Sequence, residues 1–395
     1  MKRPGILASA YQEVQSIFQD RWTLLMYVVS PVIWCALLFG LFAHGLMRDL
    51  PVGIVNLDEH PDALELEVKL DALPSVAVIS MPDVDSAKNA LLSGDLYAYV
   101  VIPHDWKATA GKPDGAALEL FFPKTIYAIA VSLELDIKQA LLSFQADSLQ
   151  KLAQVTGMTS KQAHRVSQAL VVHSVTLGNV AFNFQAYVLP TLIPGILHLA
   201  VTLALVIRII THWQKKTLRK WCKIGGGPLG AYIGTALPWW AYFTALGFIF
   251  IVLLAGYFGW YAQGNLLLWF VGFALFMAVM CTLPMFLIGI FARLSPIIAV
   301  SVATGYIAPI FPYTGFSYPL DAMDGWVKWL AACFPFKHYF AFQGQVWMLD
   351  SPLSISLLTL AKLLAFALLW VGVGYSLYRN SVRVAMFNEW QEARP

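Results

Sequence analysis

If this chain carries out chemistry, its eight histidines, its four cysteines or a glycine-rich loop must do it. Cys35, Cys222, Cys281 and Cys333 have no short spacing between any two. Metal centres and redox motifs need paired ligands at short intervals, so four free thiols and no metal site are expected. Gly225-Gly-Gly-Pro228 lacks the Lys-Ser/Thr that would reach phosphates and magnesium. It reads as a flexible break between a basic helix and the apolar run that follows. No HExxH or GxSxG pattern occurs. His44, His198 and His338 lie in or near long apolar runs, where an ionisable group is a functional suspect by default. The simpler reading is a neutral histidine bonded to a neighbouring helix. No catalytic residue and no bound cofactor is expected.

The elements that must hold these residues follow from composition. The 395 residues are 58% hydrophobic and 12% charged. Soluble domains carry about 25% charged residues, so much of the chain must sit where charge is excluded. A helix crossing a bilayer core needs about 20 mostly apolar residues. Six runs meet that need, at residues 22–46, 187–210, 232–258, 266–291, 296–316 and 355–378. The Met1-Lys2-Arg3 start resembles a signal n-region, yet the first long apolar run opens only near Trp22, so that run reads as a retained first span.

Basic residues orient the spans. Lys2, Arg3 and Arg21 precede the first, and Lys215, Lys216, Arg219, Lys220 and Lys223 crowd the loop after the second. Arg293 follows the fourth, and Arg379, Arg383 and Arg394 follow the sixth. Six spans put every cluster on one side, which the positive-inside rule makes the cytoplasm. Both termini are then cytoplasmic, and residues 379–395 form a cytoplasmic tail. A net charge of +3 is too small to argue for nucleic acid.

The same count places residues 47–186 outside. Strands are expected from Pro51 to Asp58, Val76 to Ser80, Leu96 to Ile102 and Ala117 to Phe122. Helices are expected over 61–73, 83–92, 127–154 and 160–172, with Asp83 or Asp85 near an N-cap and Gly94 just past a helix end. The insert is therefore a small α/β domain followed by a helical stalk.

No Asp or Glu falls inside any of the six runs, which argues against a carrier coupled to an ion gradient. Arg208 and Lys362 lie close enough to span ends for snorkelling to account for them. In the N-terminal stretch, Ile6, Leu7, Ala10, Val14, Ile17 and Phe18 share one helical face and suit an interfacial helix. The basic loop reads as a solvated positive face, a membrane anchor or a docking site. Prolines break the chain after residue 308, and a second apolar stretch, 326–334, is too short to span. A re-entrant hairpin over 317–345 would shelter that irregular backbone. An aromatic interfacial loop is the alternative.

Several pieces carry a resemblance: Gly53-Ile-Val-Asn-Leu-Asp58, Asp85-Ser-Ala-Lys-Asn-Ala-Leu-Leu-Ser-Gly94, Ala98-Tyr-Val-Val-Ile-Pro103, Gly315-Phe-Ser-Tyr-Pro-Leu320 and Phe334-Pro-Phe-Lys-His-Tyr339. In this order around six spans they resemble the permease subunits of type-2 ABC exporters with a large external domain between the first two spans. The resemblance implies a half-transporter of the cell inner membrane, paired with a second copy or a paralogue. Separate ABC ATPase subunits would bind ATP and magnesium. Residues 1–21 would hold an elbow helix, and the loop 211–231 a coupling helix, with Lys215, Lys216, Thr217, Arg219 and Lys220 meeting the ATPase. Relatives often carry an acidic residue and a Gly-Thr there, which this chain lacks. Pro309, Pro312, Gly315, Phe316, Pro319, Pro335 and His338 would form an outer gate. A periplasmic adaptor and membrane lipids are further expected partners, with an amphipathic, drug-like or lipid-like substrate. The alternatives are a membrane receptor and a non-transporting ABC regulator, each sensing through the external domain.

Overall fold

A computed structural model describes residues 4–42, 48–58, 60–104, 106, 118–123, 131, 133–144, 147, 183–260, 262–291, 295–316 and 319–392. They group into two compact units that divide near residue 44 and again near residue 186.

Among its described residues, the inserted unit is built on a four-stranded sheet. Strands β1 (Leu50–Asn56), β2 (Val76–Ser80), β3 (Ala98–Ile102) and β4 (Glu119–Phe121) lie in the order β2-β1-β3-β4. β1 runs parallel to both neighbours, and β4 runs antiparallel to β3. Side chains alternate across a strand, so Val52, Ile54, Val100 and Ile102 face one core while Val55, Tyr99 and Val101 face another. Helix Pro61–Asp71 and the helix at 133–144 cover the first face with Ala63, Leu66, Leu70, Leu133, Ile137 and Phe144. Helix Val84–Ser93 covers the second through Ala87. Both faces of the sheet are therefore filled, and all five residues of β3 are buried. Asp83, not Asp85, is the N-cap: its carboxylate accepts from the Ser86 N–H at 2.7 Å. That bond holds the Asp83 carboxyl below the usual carboxylate range. The helix expected at 160–172, and most of the stalk, lie outside the described residues.

In the other unit, five helices among the described residues are long and apolar enough to cross a membrane: Arg21–Leu41, Gln185–Gln214, Pro228–Gly256, Leu266–Phe291 and Leu353–Gln391. The remaining expected crossing, residues 296–316, is instead a 12-residue helix, Pro296–Ile307, continued by a 3-10 stretch, Ala308–Thr314. Pro309 and Pro312 lack the N–H donors that α-helical continuation requires. The first span is wound as a π-helix over Leu24–Val29, just before Pro31. The fourth breaks at Cys281 and Thr282 between Leu266–Met280 and Leu283–Phe291.

The terminal helix departs most from expectation. It runs 40 residues, Leu353–Glu392, about 60 Å at 1.5 Å per residue, against a hydrocarbon core of about 30 Å. Residues 379–392 continue the same helix, because no glycine or proline interrupts them. Midway along, it crosses the helix Leu283–Phe291 at very close range. A Cβ on Gly289 would stand 2.8 Å from the Tyr378 nitrogen, and one on Gly374 2.8 Å from the Phe286 Cα. Small residues of this kind let helix backbones approach where lipid supplies no hydrophobic drive. Ser381 Oγ then donates to the Gly289 carbonyl at 2.9 Å.

Candidate functional site

The basic loop after the second crossing helix folds into a short helix with two distinct faces. Lys216 takes a left-handed backbone conformation, φ 53°, and turns the chain out of the helix that ends at Gln214. Helix Leu218–Gly225 then buries Leu218, Trp221, Cys222 and Gly225. Arg219, Lys220 and Lys223 are exposed on its other side, as are Lys215 and Lys216 just before it. Thr217, half-buried at the N-cap, makes no capping bond; its hydroxyl donates to the His212 carbonyl instead. Trp221 stacks on His212 at 5.3 Å, and its Nε1–H donates to Thr235 Oγ1 at 3.0 Å.

Neighbours hold this loop helix at both ends. The Glu389 carboxylate, from the terminal helix, accepts from the Leu218 and Arg219 N–H groups at 3.3 and 3.4 Å. At the other end the Gly5 N–H donates to the Ile224 carbonyl at 2.8 Å. Burial, with repulsion from Glu389, pushes the Cys222 thiol up to about 12. The Gly225-Gly-Gly-Pro228 segment is not a flexible break. Gly226 is left-handed, φ 76°, and a Cβ on Gly225 would lie 2.3 Å from the Ala231 backbone, so glycine here permits a tight packed turn.

The N-terminal helix Ile6–Gln19 turns an unexpected face inward. Ser9, Glu13 and Ile17 are buried, at spacings of four, while Leu7 and Phe18 stand exposed. Most of the apolar face read from the sequence thus points outward. Glu13 Oε1 accepts from Arg208 Nε at 2.7 Å and from Trp239 Nε1 at 3.0 Å, and Glu13 Oε2 from Arg208 Nη2 at 3.2 Å. Arg208 Nη2 also donates to Ser16 Oγ. Arg208 therefore does not snorkel: it is buried in a bidentate pair that joins the N-terminal helix to two crossing helices. Sequence periodicity missed Glu13 because its partner lies far away along the chain.

The proline-rich segment gathers most of the expected gate residues. Pro309 lies within the 3-10 stretch; Pro312 is exposed there, and Gly315 ends it in a left-handed conformation, φ 85°. Phe316 stacks on Tyr187 at 4.8 Å, and the Tyr187 hydroxyl donates to the Phe316 carbonyl. Pro319 is exposed before the short turn Leu320–Ala322. Two short helices follow, Gly325–Ala332 and Pro335–Gln343, with Pro335 buried at the start of the second. The His338 Nε2–H donates to the Ala332 carbonyl at 3.0 Å, tying the pair together. His198 is also buried, its Nδ1–H donating to the Pro194 carbonyl of its own helix at 3.1 Å. His44 lies outside the described residues.

One residue here escaped the sequence reading. Pro194 has no N–H, so the carbonyl of Pro190, four residues back, loses its helical partner. The Gln343 side-chain amide donates to that carbonyl, and Gln343 in turn accepts from the Tyr339 hydroxyl at 2.7 Å. A cavity of about 30 Å³ beside it, lined by Tyr187, Thr191, Gln343 and Trp347 among others, has room for about one water. It is far too small for a drug-sized molecule.

A family model described as ABC-2 family transporter protein matches residues 21–375. The chain belongs to the ABC-2 transporter family. No curated protein matches it. The permease is a multi-pass membrane protein and the membrane component of a transporter. ABC-2 permeases normally partner with ABC ATPase subunits and are generally not themselves the ATPase. Among the described residues of this permease, no group of His, Cys, Asp and Glu could hold a metal ion. The matched stretch includes the loop helix and the proline-rich segment. Gly5, Glu13 and Glu389, which brace the loop helix and the N-terminal helix, lie beyond it.

Proposed function

We propose that this permease exports an amphipathic, drug-like or lipid-like molecule from the cytoplasm or inner leaflet, driven by ATP hydrolysis in a separate subunit. The observation that carries the proposal is the loop helix Leu218–Gly225, anchored by its apolar face and presenting Arg219, Lys220 and Lys223 outward, in a chain of the ABC-2 family. An exposed, rigidly held basic helix suits docking of a partner whose closure must move the spans.

The topology is six crossings with both termini cytoplasmic, in the cell inner membrane. Pro296–Ile307 and Ala308–Thr314 together make the fifth crossing. Twelve α-helical and seven 3-10 residues reach about 32 Å, enough for a hydrocarbon core. Two copies, or this chain and a paralogue, pair through the exposed apolar faces of the first and terminal helices, and the substrate passes between them. The proline-rich segment and the two short helices after it gate the outer end. The inserted α/β unit is periplasmic and meets substrate or an adaptor.

Mild-detergent recovery of the permease from its native membrane, with co-purifying proteins identified by mass spectrometry, tests this reading. A nucleotide-binding subunit that co-purifies, and whose turnover the permease stimulates, supports it. A clean homo-oligomer without such a subunit sinks it in favour of a receptor.

A further inference from the structure

The end of the terminal helix makes an unusual contact. A helix N-terminus leaves its first N–H groups without intrahelical partners, and the residue at the cap normally satisfies them. At the loop helix that residue, Thr217, has turned its hydroxyl to His212. Glu389, 171 residues along the chain from Leu218, takes its place, one carboxylate oxygen on each of the Leu218 and Arg219 N–H groups. A carboxylate at this end also meets the positive pole of the helix dipole. Glu389 stands within a 40-residue helix. Near the opposite end of that helix the Thr359 hydroxyl shares its one proton between the Ile355 carbonyl of its own helix at 3.1 Å and Gln345 Oε1 at 3.2 Å, in the segment that follows the two short helices. Thr359 and Glu389 are about 45 Å apart along one unbroken helix. Between them, Gly374 and Gly289 allow the close crossing with Leu283–Phe291.

We infer that Glu389 is the positioning residue of the loop helix, acting as a remote cap that makes the loop helix and the terminal helix move as one body. A push on the loop helix then reaches the segment around Gln345 through a single rigid element, not through the connecting loops. In calling the push ATPase closure, the inference rests on the transport reading; the tether itself does not.

Two measurements test it. In the first, the purified full-length permease is followed by hydrogen exchange over residues 218–225. Glu389→Ala removes the cap, and Glu389→Asp withdraws it by one methylene, about 1.5 Å. Both are expected to speed exchange of the first loop-helix amides about tenfold, while Glu389→Gln, whose single amide oxygen can accept from only one of the two N–H groups, is expected to fall between them and the wild type. In the second, Cys333, half-exposed between the two short helices, is alkylated with a membrane-impermeant maleimide in the complex recovered from native membranes. The rate is compared with and without trapped nucleotide. The wild type is expected to show a nucleotide-dependent rate. Glu389→Ala and Glu389→Asp are expected to lose it when rates are compared at equal bound ATPase.

Wild-type exchange in Glu389→Ala, or a preserved nucleotide response in that variant, would overturn the inference. So would a wild-type complex whose Cys333 ignores nucleotide. Absence of any ATPase from the wild-type preparation would defeat the transport reading instead, and the exchange measurement would still decide the tether.

Discussion

Glu13 Oε1 lies 2.7 Å from Arg208 Nε, and both side chains are nearly inaccessible to solvent. Desolvating two charges is costly, and the pair persists because Trp239 and Ser16 satisfy further polar atoms. Removing one partner strands the other. Glu13→Leu or Arg208→Met alone should each cost about 3–5 kcal/mol, while the two together should cost less than either. Thermal unfolding of the four proteins in detergent measures the cycle. Additive losses would show that the pair is not coupled.

Gln343 and Pro194 form a second cycle. Gln343→Leu leaves the Pro190 carbonyl unsatisfied in a buried site, a loss of about 1–3 kcal/mol. Pro194→Ala restores an N–H four residues on from that carbonyl, so the helix can satisfy it internally. In the Pro194→Ala background, Gln343→Leu should therefore lose most of its effect. Equal unfolding shifts in both backgrounds would show that Gln343 acts by packing alone.

The exposed cations of the loop helix predict an electrostatic contact. Reversing Arg219, Lys220 and Lys223 to Glu should reduce recovery of the ATPase subunit by about tenfold or more while leaving the unfolding temperature close to the wild type. Recovery with the wild type should fall as salt rises. Undiminished recovery from the triple variant would move the docking surface elsewhere.

Cysteine reactivity follows burial. Thiolate is the reactive form, and Cys222 is held up at about 12. At pH 8 Cys222 should resist alkylation while half-exposed Cys333 reacts first. Mass spectrometry of trapped peptides reads the order. The unfolded thiol releases its proton near its ordinary value of 9.0 and the folded one near 12. Stability from this group is thus intact below pH 9 and is lost as pH rises from 9 to 12, because the unfolded state gives up its proton first. Early labelling of Cys222 in the folded permease would contradict the packing described.

Whatever depends on local pattern was legible in the chain before folding. Runs of apolar residues marked the crossing helices, because the bilayer rejects charge over a fixed length. The stretch from Pro51 to Asp58 was legible as a strand ending in a turn, and Gly94 marked a helix end by its backbone freedom. Pro309 and Pro312 announced that a regular helix would stop. The tertiary structure alone decided which distant groups meet. Glu13 gave no signal, and Arg208 looked like a snorkelling cation, until folding brought them together across 195 residues. Gln343 gave no signal, since the carbonyl it satisfies was freed by a proline in another element. Gly225 passed for a hinge because sequence shows the absence of a side chain but not the backbone packed into that space. Glu389 sat in an apparent tail, yet a helix with nothing to break it carried the residue to the N-terminus of the loop helix. Local sequence encodes conformational preference and solvent class, whereas partners at long range are fixed only when the chain closes on itself.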